Sequence, residues 1–416
     1  MQIGSYITLY LMKNTIFVQI ASYRDPELLP TIIDCIRNAK FPENLFFSIC
    51  WQKEDEDRSI DQFKSNKNFN IIEVDWKDSK GACWARNLTQ SNYNGEKFSL
   101  QLDSHHRFVK DWDEKLINCW NNLDDKMGIL TGYPPNYFPD KDESTWNHNP
   151  QICNIYNFDN NGIISRPIEF KNWKNTNRSV RGVYTSAGFI FALGQINITV
   201  PYDPNLYFYG EELSMTLRYF THGYNLYHPN IIITYHYYTR IENHKHWSNH
   251  KNWGKLQNIG INRVKNMIEI PNYDLGEYGL GKSRSIKDYE NYAGIDFKSQ
   301  LIHMDTINGI EPPCSNSSDG WDSETIDFNK ILTWDYSKIE KCEDVRFWSF
   351  IILDQQGLAI HREDLVYKDN IDIINGNITF KNFKFNRYKN RQIPTELLIW
   401  PYSESNGWIK STKYKI

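Results

Sequence analysis

Three short apolar runs, with an amphipathic helical stretch between the first two, constrain this chain more than any other feature. Thr15–Ile20, Leu45–Trp51 and Phe69–Val74 are short, apolar and rich in β-branched and aromatic residues, as buried strands are. Between the first two, Leu28, Ile32, Ile33 and Ile36 recur on one helical face. This order predicts a β-α-β unit whose helix lies on a parallel sheet. Asp25 is expected to cap that helix, with Pro26 at its first position. Phe98–Leu102 alternates as a further strand and delivers Asp103 at its carboxyl end, where open α/β sheets hold their ligands.

Beyond Met127–Thr131 the periodicity fades. Tyr133–Lys174, rich in Asn, Pro and aromatic residues, is predicted to run as long loops on an acceptor side rather than as another regular layer. Order resumes near Val183. Glu212–Phe220 has helical spacing and stops before Gly223, and Ile231–Tyr235 is a strand running into His236. With 416 residues the chain exceeds one ordinary core, and the turn-rich stretch from Ile302 to Ser323 is its natural break. The expected division is a first domain over residues 1–303, a linker over 304–323 and a β-rich domain over 324–416. In the last of these, Arg346–Leu353, Ile371–Ile374, Ile378–Phe380 and Leu397–Trp400 are short strand-like runs between turns. The fold class expected is α/β, with a Rossmann-like ligand-binding sheet and long loops, followed by a small sandwich-like all-β domain.

Composition narrows the partners. Hydrophobic residues at 40% and charged residues at 24% suit a globular chain, and a formal net charge of −4 supplies no basic field for nucleic acid. Met1–Met12 holds no run near the roughly 18 apolar residues of a membrane span and no signal-peptide layout. The seven cysteines show neither CxxC nor Cys/His finger spacing and read as reduced thiols, so a cytoplasmic compartment is expected.

The sharpest chemical feature is Gln101–Phe108. In an extended chain residues i and i+2 share a side, so Asp103 and His105 can grip one ion together. A carboxylate and an imidazole suit Mn2+, with Mg2+ as the alternative, and such an ion can bridge diphosphate oxygens. Alone, the triplet is better read as a capping Asp beside a packed His. Other segments could join the same site. Ser22–Asp25 is a turn after a strand where a nucleoside could sit, and Arg86 within Gly81–Asn87 could reach a uracil or a diphosphate. Glu211 and Glu212 precede a helix, where they could orient hydroxyls, stabilise an oxocarbenium-like centre or simply favour the helix start. His244, His246 and His250 imitate a second metal site, but with Trp247 and Trp253 beside them a loop closing over bound ligand is the preferred reading. His106 reads as structural.

In chain order, SYRD (22–25), GACWARN (81–87), LDSHHRF (102–108), SAGFIFALG (186–194), YFYGEEL (207–213) and YHYYTR (235–240) resemble the cytoplasmic hydroxyproline N-acetylglucosaminyltransferases. More distantly they are similar to the polypeptide N-acetylgalactosaminyltransferases. The resemblance implies a GT-A glycosyltransferase domain that moves a sugar, GlcNAc, with retention from a UDP-sugar to a hydroxyl of hydroxyproline, Ser, Thr or a glycan. It assigns Mn2+ to Asp103, His105 and His236, with Asp103 also meeting the donor. The remaining donor contacts it implies are Ser22, Tyr23, Arg24, Asp25, Arg86, Ser104, Gly188, Phe189 and Arg240. Glu211 and Glu212 take the catalytic positions, although the distant group has Gly-Glu-Asn where this chain has Gly-Glu-Glu. Two other classes compete. An iron and 2-oxoglutarate oxygenase also uses Asp and His ligands, but its short motif runs His-x-Asp on an all-β barrel. A lectin-like protein would bind glycans through the C-terminal domain without turnover.

Overall fold

The computed structural model describes residues 14–416 apart from 160–161, 172, 239–243, 322–324, 336–337, 340–343, 356, 358, 367–377 and 389–392. The chain divides into two compact units, Met1–Asn316 and Ser317–Ile416.

The first unit is built on parallel strands β1 (Ile16–Tyr23), β2 (Leu45–Lys53), β3 (Phe69–Asp75) and β4 (Phe98–Asp103). Helix α1 (Leu28–Asn38) joins β1 to β2 and buries Leu28, Ile32 and Cys35 against them; α2 (Ala82–Gln90) precedes β4, and α3 (Trp112–Asn121) follows it. Expected boundaries and observed ones differ at the start of α1. Glu27, not Asp25, stands at the cap position, although the Asp25 carboxylate still accepts the Glu27 amide at 3.0 Å in the turn just before the helix.

Beyond β4 the sheet turns mixed. After the short β5 (His106–Phe108), strands β6 (Gly128–Thr131), β7 (Gln151–Asp159), β8 (Gly162–Glu169), β9 (Val180–Arg181), β10 (Phe189–Leu193), β11 (Asn225–His228) and β12 (Thr234–His236) follow in chain order. The eight-stranded sheet has the order β3-β2-β1-β4-β10-β6-β11-β9. From β1 the chain crosses to β2 on one side, whereas β4 lies on the other, so a crevice opens at the carboxyl ends of β1 and β4. Ala21 of β1 is level with Asp103 of β4 there. β10 runs antiparallel to β4 and pairs Phe189 with Leu102, which brings Gly188 alongside Asp103. A two-stranded ribbon of β5 and β12 pairs His106 with His236 and carries His236 to the same place. Helix α4 (Glu211–Thr221) starts at the crevice and buries nearly every side chain; α5 (Trp253–Glu269) and α6 (Ile286–Ala293) follow.

Here one expectation is corrected. Tyr133–Lys174 is not all loop, since β7 and β8 form an antiparallel hairpin within it. Its pattern is disguised because Asn154 and Asn157 are buried beside Cys153 and Ile155, and the pairing slips between Ile155 and Asn157. The units divide at Asn316, inside the expected linker 304–323. Residues 304–316 belong to the first unit: Asn154 Nδ2 donates to the Ile307 carbonyl, and the Cys314 amide donates to the Tyr292 carbonyl. They follow β13 (Ile295–Asp296) and β14 (Leu301–Ile302), which pair with each other.

The second unit is antiparallel among its described residues. β15 (Thr325–Asp335) pairs with β18 (Ile378–Tyr388). β16 (Val345–Asp354) lies between β17 (Ala359–Val366) and β19 (Pro394–Ser403), which also pairs with β20 (Gly407–Trp408) and β21 (Thr412–Lys415). Alternation on β16 sends Trp348, Phe350 and Ile352 into the core, where Trp334 of β15 meets Phe350 at 5.2 Å between ring centroids. The run Ile371–Ile374 lies outside the described residues.

Candidate active site

Asp103, His105 and His236 converge at the crevice. One ligating atom from each lies within 4.8 Å of the others. Asp103 Oδ2 is 3.1 Å from His236 Nε2 and 3.9 Å from His105 Nε2. Donor atoms about 2.1 Å from one cation stand roughly 3–4 Å apart, so the trio fits a divalent ion in spacing and in its mixed oxygen and nitrogen chemistry. His105 Nε2 strengthens the fit, for it is buried and has no hydrogen-bond partner among the described residues. The other ring nitrogen, Nδ1, lies 2.7 Å from Asp25 Oδ2, as an orienting carboxylate behind a metal-binding imidazole would.

The other Asp103 oxygen faces a cation. Arg86 Nη2 donates to Asp103 Oδ1 at 2.6 Å, and Arg86 Nη1 is paired with the Glu211 carboxylate. Burial opposes charge on both Asp103 and Arg86. For the carboxyl, the His236 hydrogen bond, Arg86 and His105 prevail and hold it well below the usual carboxylate range. For the guanidinium, Glu211 and Asp103 prevail and keep it charged. Gly188 completes the approach of β10, since a Cβ there would stand 2.9 Å from Asp103 Oδ2.

Beside this cluster is a cavity of about 450 Å3. Its walls include Tyr23, Arg86, Gly188, Tyr207 and Trp247. Glu212 also lines it. The Ala187 amide donates to Glu212 Oε1 at 2.9 Å and the Tyr133 hydroxyl to Oε2 at 3.1 Å. Burial pushes this carboxyl up to about 7; the Ala187 amide opposes the rise and Glu211 adds to it.

The family description glycosyltransferase (GlcNAc) matches residues 15–68 and 61–299. The chain belongs to the GlcNAc glycosyltransferase family. The match covers the whole mixed sheet and the cavity, so the α/β first unit is the part of the chain that carries the family's pattern. No curated protein matches this GlcNAc-family chain in sequence. Among solved structures it is similar to GalNAc-T7 with UDP, GalNAc and Mn2+, at 13% identity and a TM-score of 0.43, over 66% of this chain and 54% of that one. It is also similar to S. aureus TarS in complex with UDP-GlcNAc, at 12% identity and a TM-score of 0.40, over 63% of this chain and 68% of that one. The aligned part thus spans about half of the GalNAc-T7 chain.

Within this GlcNAc-family core the expected site residues separate. Tyr23, Asp25, Arg86, Asp103, Ser104, His105, Gly188, Glu211, Glu212 and His236 all line the cavity. Three others do not. Ser22 is fully buried. Arg24 turns away to pair with Glu54 and Asp57 and lies over the Trp76 ring. Phe189 is core, 3% exposed. Arg240 lies outside the described residues.

His106 is buried, bonded through Nδ1 to Thr234 Oγ1 at 2.9 Å, and its pKa is held well below the usual range by burial and by His236. His246 is also committed: its nitrogens meet the Tyr207 hydroxyl at 2.7 Å and Ser79 Oγ at 2.8 Å, and its ring stacks on His250 at 3.9 Å. Among the described residues no metal-holding trio includes His244, His246 or His250. Sequence reasoning missed Tyr133 and Tyr184 as cavity residues. The nearness of Tyr207 to Gly210–Glu212 was a signal for that wall residue; Tyr133, in a stretch without periodicity, gave none.

Proposed function

We propose that this chain transfers GlcNAc from UDP-GlcNAc to a hydroxyl of a protein or glycan, with retention at the anomeric carbon and with Mn2+, or Mg2+, at Asp103, His105 and His236. The observation that carries the reading is the buried His105 Nε2, without a hydrogen-bond partner among the described residues, facing the Asp103 and His236 ligand atoms beside a sugar-sized cavity. Family membership supports transferase chemistry, and the open mixed α/β sheet gives no support to an oxygenase barrel. A cytoplasmic setting belongs to the same proposal, supported by the six described cysteines, none of which is in a disulfide.

A cation bound there supplies charge neutralisation for a departing diphosphate. The chain's own residues do the rest. Arg86 holds one Asp103 oxygen and so leaves the other turned to the imidazoles. Glu211 anchors Arg86 from the start of α4, which makes it a support for the guanidinium, while Glu212 faces the cavity as a carboxyl able to hold or accept a hydrogen bond from a sugar hydroxyl. Tyr207 and Trp247 offer apolar faces to a sugar ring. In a front-face displacement the anomeric C–O bond to UDP breaks, the acceptor oxygen bonds on the same face, and its proton passes to the leaving diphosphate oxygen.

The test is UDP release from a panel of UDP-sugars with Mn2+, with and without chelator and acceptor hydroxyls. UDP-GlcNAc should be the preferred donor, and chelation should stop release. Asp103→Ala should lower turnover by roughly 100-fold or more while the protein still melts cooperatively. Unchanged turnover in that variant rejects the assignment.

A further inference from the structure

We infer that Asp25 is a positioning residue that fixes the tautomer of His105 and so aims its Nε2 lone pair at the metal position, a role different from the donor contact expected of it. The inference rests on the metal-dependent reading above, and its test separates the two.

Both Asp25 oxygens are engaged inside the protein. Oδ1 accepts the Glu27 amide at 3.0 Å. Oδ2 accepts the Ser104 hydroxyl at 2.7 Å and lies 2.7 Å from His105 Nδ1. The carboxylate side chain is only 2% exposed, so little of it is left for a ligand. An ionised carboxylate has no hydrogen to give, and the His105 contact is therefore an Nδ1–H donating to Asp25. In the neutral ring this leaves Nε2 as a bare lone pair. Among the described residues Nε2 is buried without a hydrogen-bond partner, 3.9 Å from Asp103 Oδ2. Were the proton on Nε2 instead, Nδ1 and the Asp25 carboxylate would press two acceptors together.

Asp25→Asn makes the argument decisive because the amide has one oxygen for two positions that each need an acceptor. The Glu27 amide can only donate. Ser104 can rotate its hydroxyl and His105 can move its proton, so the amide oxygen stays on Glu27 and its NH2 faces His105 Nδ1. The ring must then carry Nε2–H, pointing a hydrogen where the ligand lone pair belongs. The same logic underlies the loss of function when the orienting carboxylate of a catalytic triad becomes an amide.

Two readouts are taken on the full chain. Long-range 1H–15N correlation spectra of the metal-free protein report the His105 tautomer, assigned through His105→Gln. Electron paramagnetic resonance of free Mn2+ reports affinity, with Asp103→Ala as the metal-site control and thermal melts as the folding control. Wild type should show Nδ1–H, and Asp25→Asn should show Nε2–H and bind Mn2+ about 10- to 100-fold more weakly. An Nε2–H tautomer in wild type overturns the inference whether or not the variant folds. So does an Asp25→Asn variant with unchanged tautomer and unchanged affinity. Wild-type protein that shows Nδ1–H yet binds no Mn2+ overturns the metal-dependent reading and leaves no metal for Asp25 to serve.

Discussion

Glu212 is where burial alters a single residue in the most measurable way. Its carboxyl is raised from 4.5 to about 7, so between these values the folded protein keeps a proton that the unfolded chain releases. Raising the pH through that window favours unfolding, and the contribution is complete below 4.5 and lost above about 7. Glu212→Gln keeps an acceptor for the Ala187 amide and removes the titration. Urea denaturation at pH 5 and pH 8 should show wild type losing more stability than the variant; equal losses would contradict the account. Residue identity was legible here, but direction was not. Ser22 and Tyr23, like Gly188 and Phe189, are neighbours in one motif, and alternation along the chain sends one of each pair to the cavity and the other into the interior. Arg24 differs again, because a backbone φ of 46° swings it toward Glu54 and Asp57. A motif read as letters cannot resolve that parity.

At the scale of elements, the regular ones announced themselves. β1 to β4 carry apolar residues at strand spacing and α1 a clear stripe, which is why Asp103 could be set at a strand end from spacing alone. The β7–β8 hairpin was hidden, since its buried Asn154 and Asn157 look polar in sequence, and nothing local announces that Asn154 donates to the Ile307 carbonyl. His236 was reached by resemblance, and its approach to Asp103 depends on β12 pairing with β5, a long-range contact from Thr234 and His236 back to Phe108 and His106 that no local pattern reports. The close packing of β10 on β4 makes a further prediction. Gly188→Ala would force the Asp103 carboxylate aside, against its contacts to Arg86 and His236. Mn2+ affinity should fall by at least about 10-fold, while the melting temperature shifts by only about 2–4 °C. A variant with wild-type affinity would show that the approach of β10 does not set the carboxylate.

Across the whole molecule, chemistry is confined to one unit. Every cavity residue lies before Asn316, and the first unit has its own apolar clusters, separate from the core around Trp348 and Phe350. A chain ending at Asn316 should therefore fold and release UDP from UDP-GlcNAc at a rate within about threefold of the full chain in the absence of acceptor, by the independence expected of separate domains. Complete loss would mean that the second unit takes part in donor turnover. The two units divide at Asn316, inside the stretch 304–323 expected to link them, and its first part is held to the first unit by Ile307 and Cys314, whose contacts to Asn154 and Tyr292 a turn-rich stretch does not advertise. The most direct test of the central claim is anomalous diffraction from crystals soaked in Mn2+ and UDP. The account predicts one strong manganese peak within about 2.3 Å of Asp103 Oδ2, His105 Nε2 and His236 Nε2. A map with manganese elsewhere, or with none between these three side chains, would contradict it.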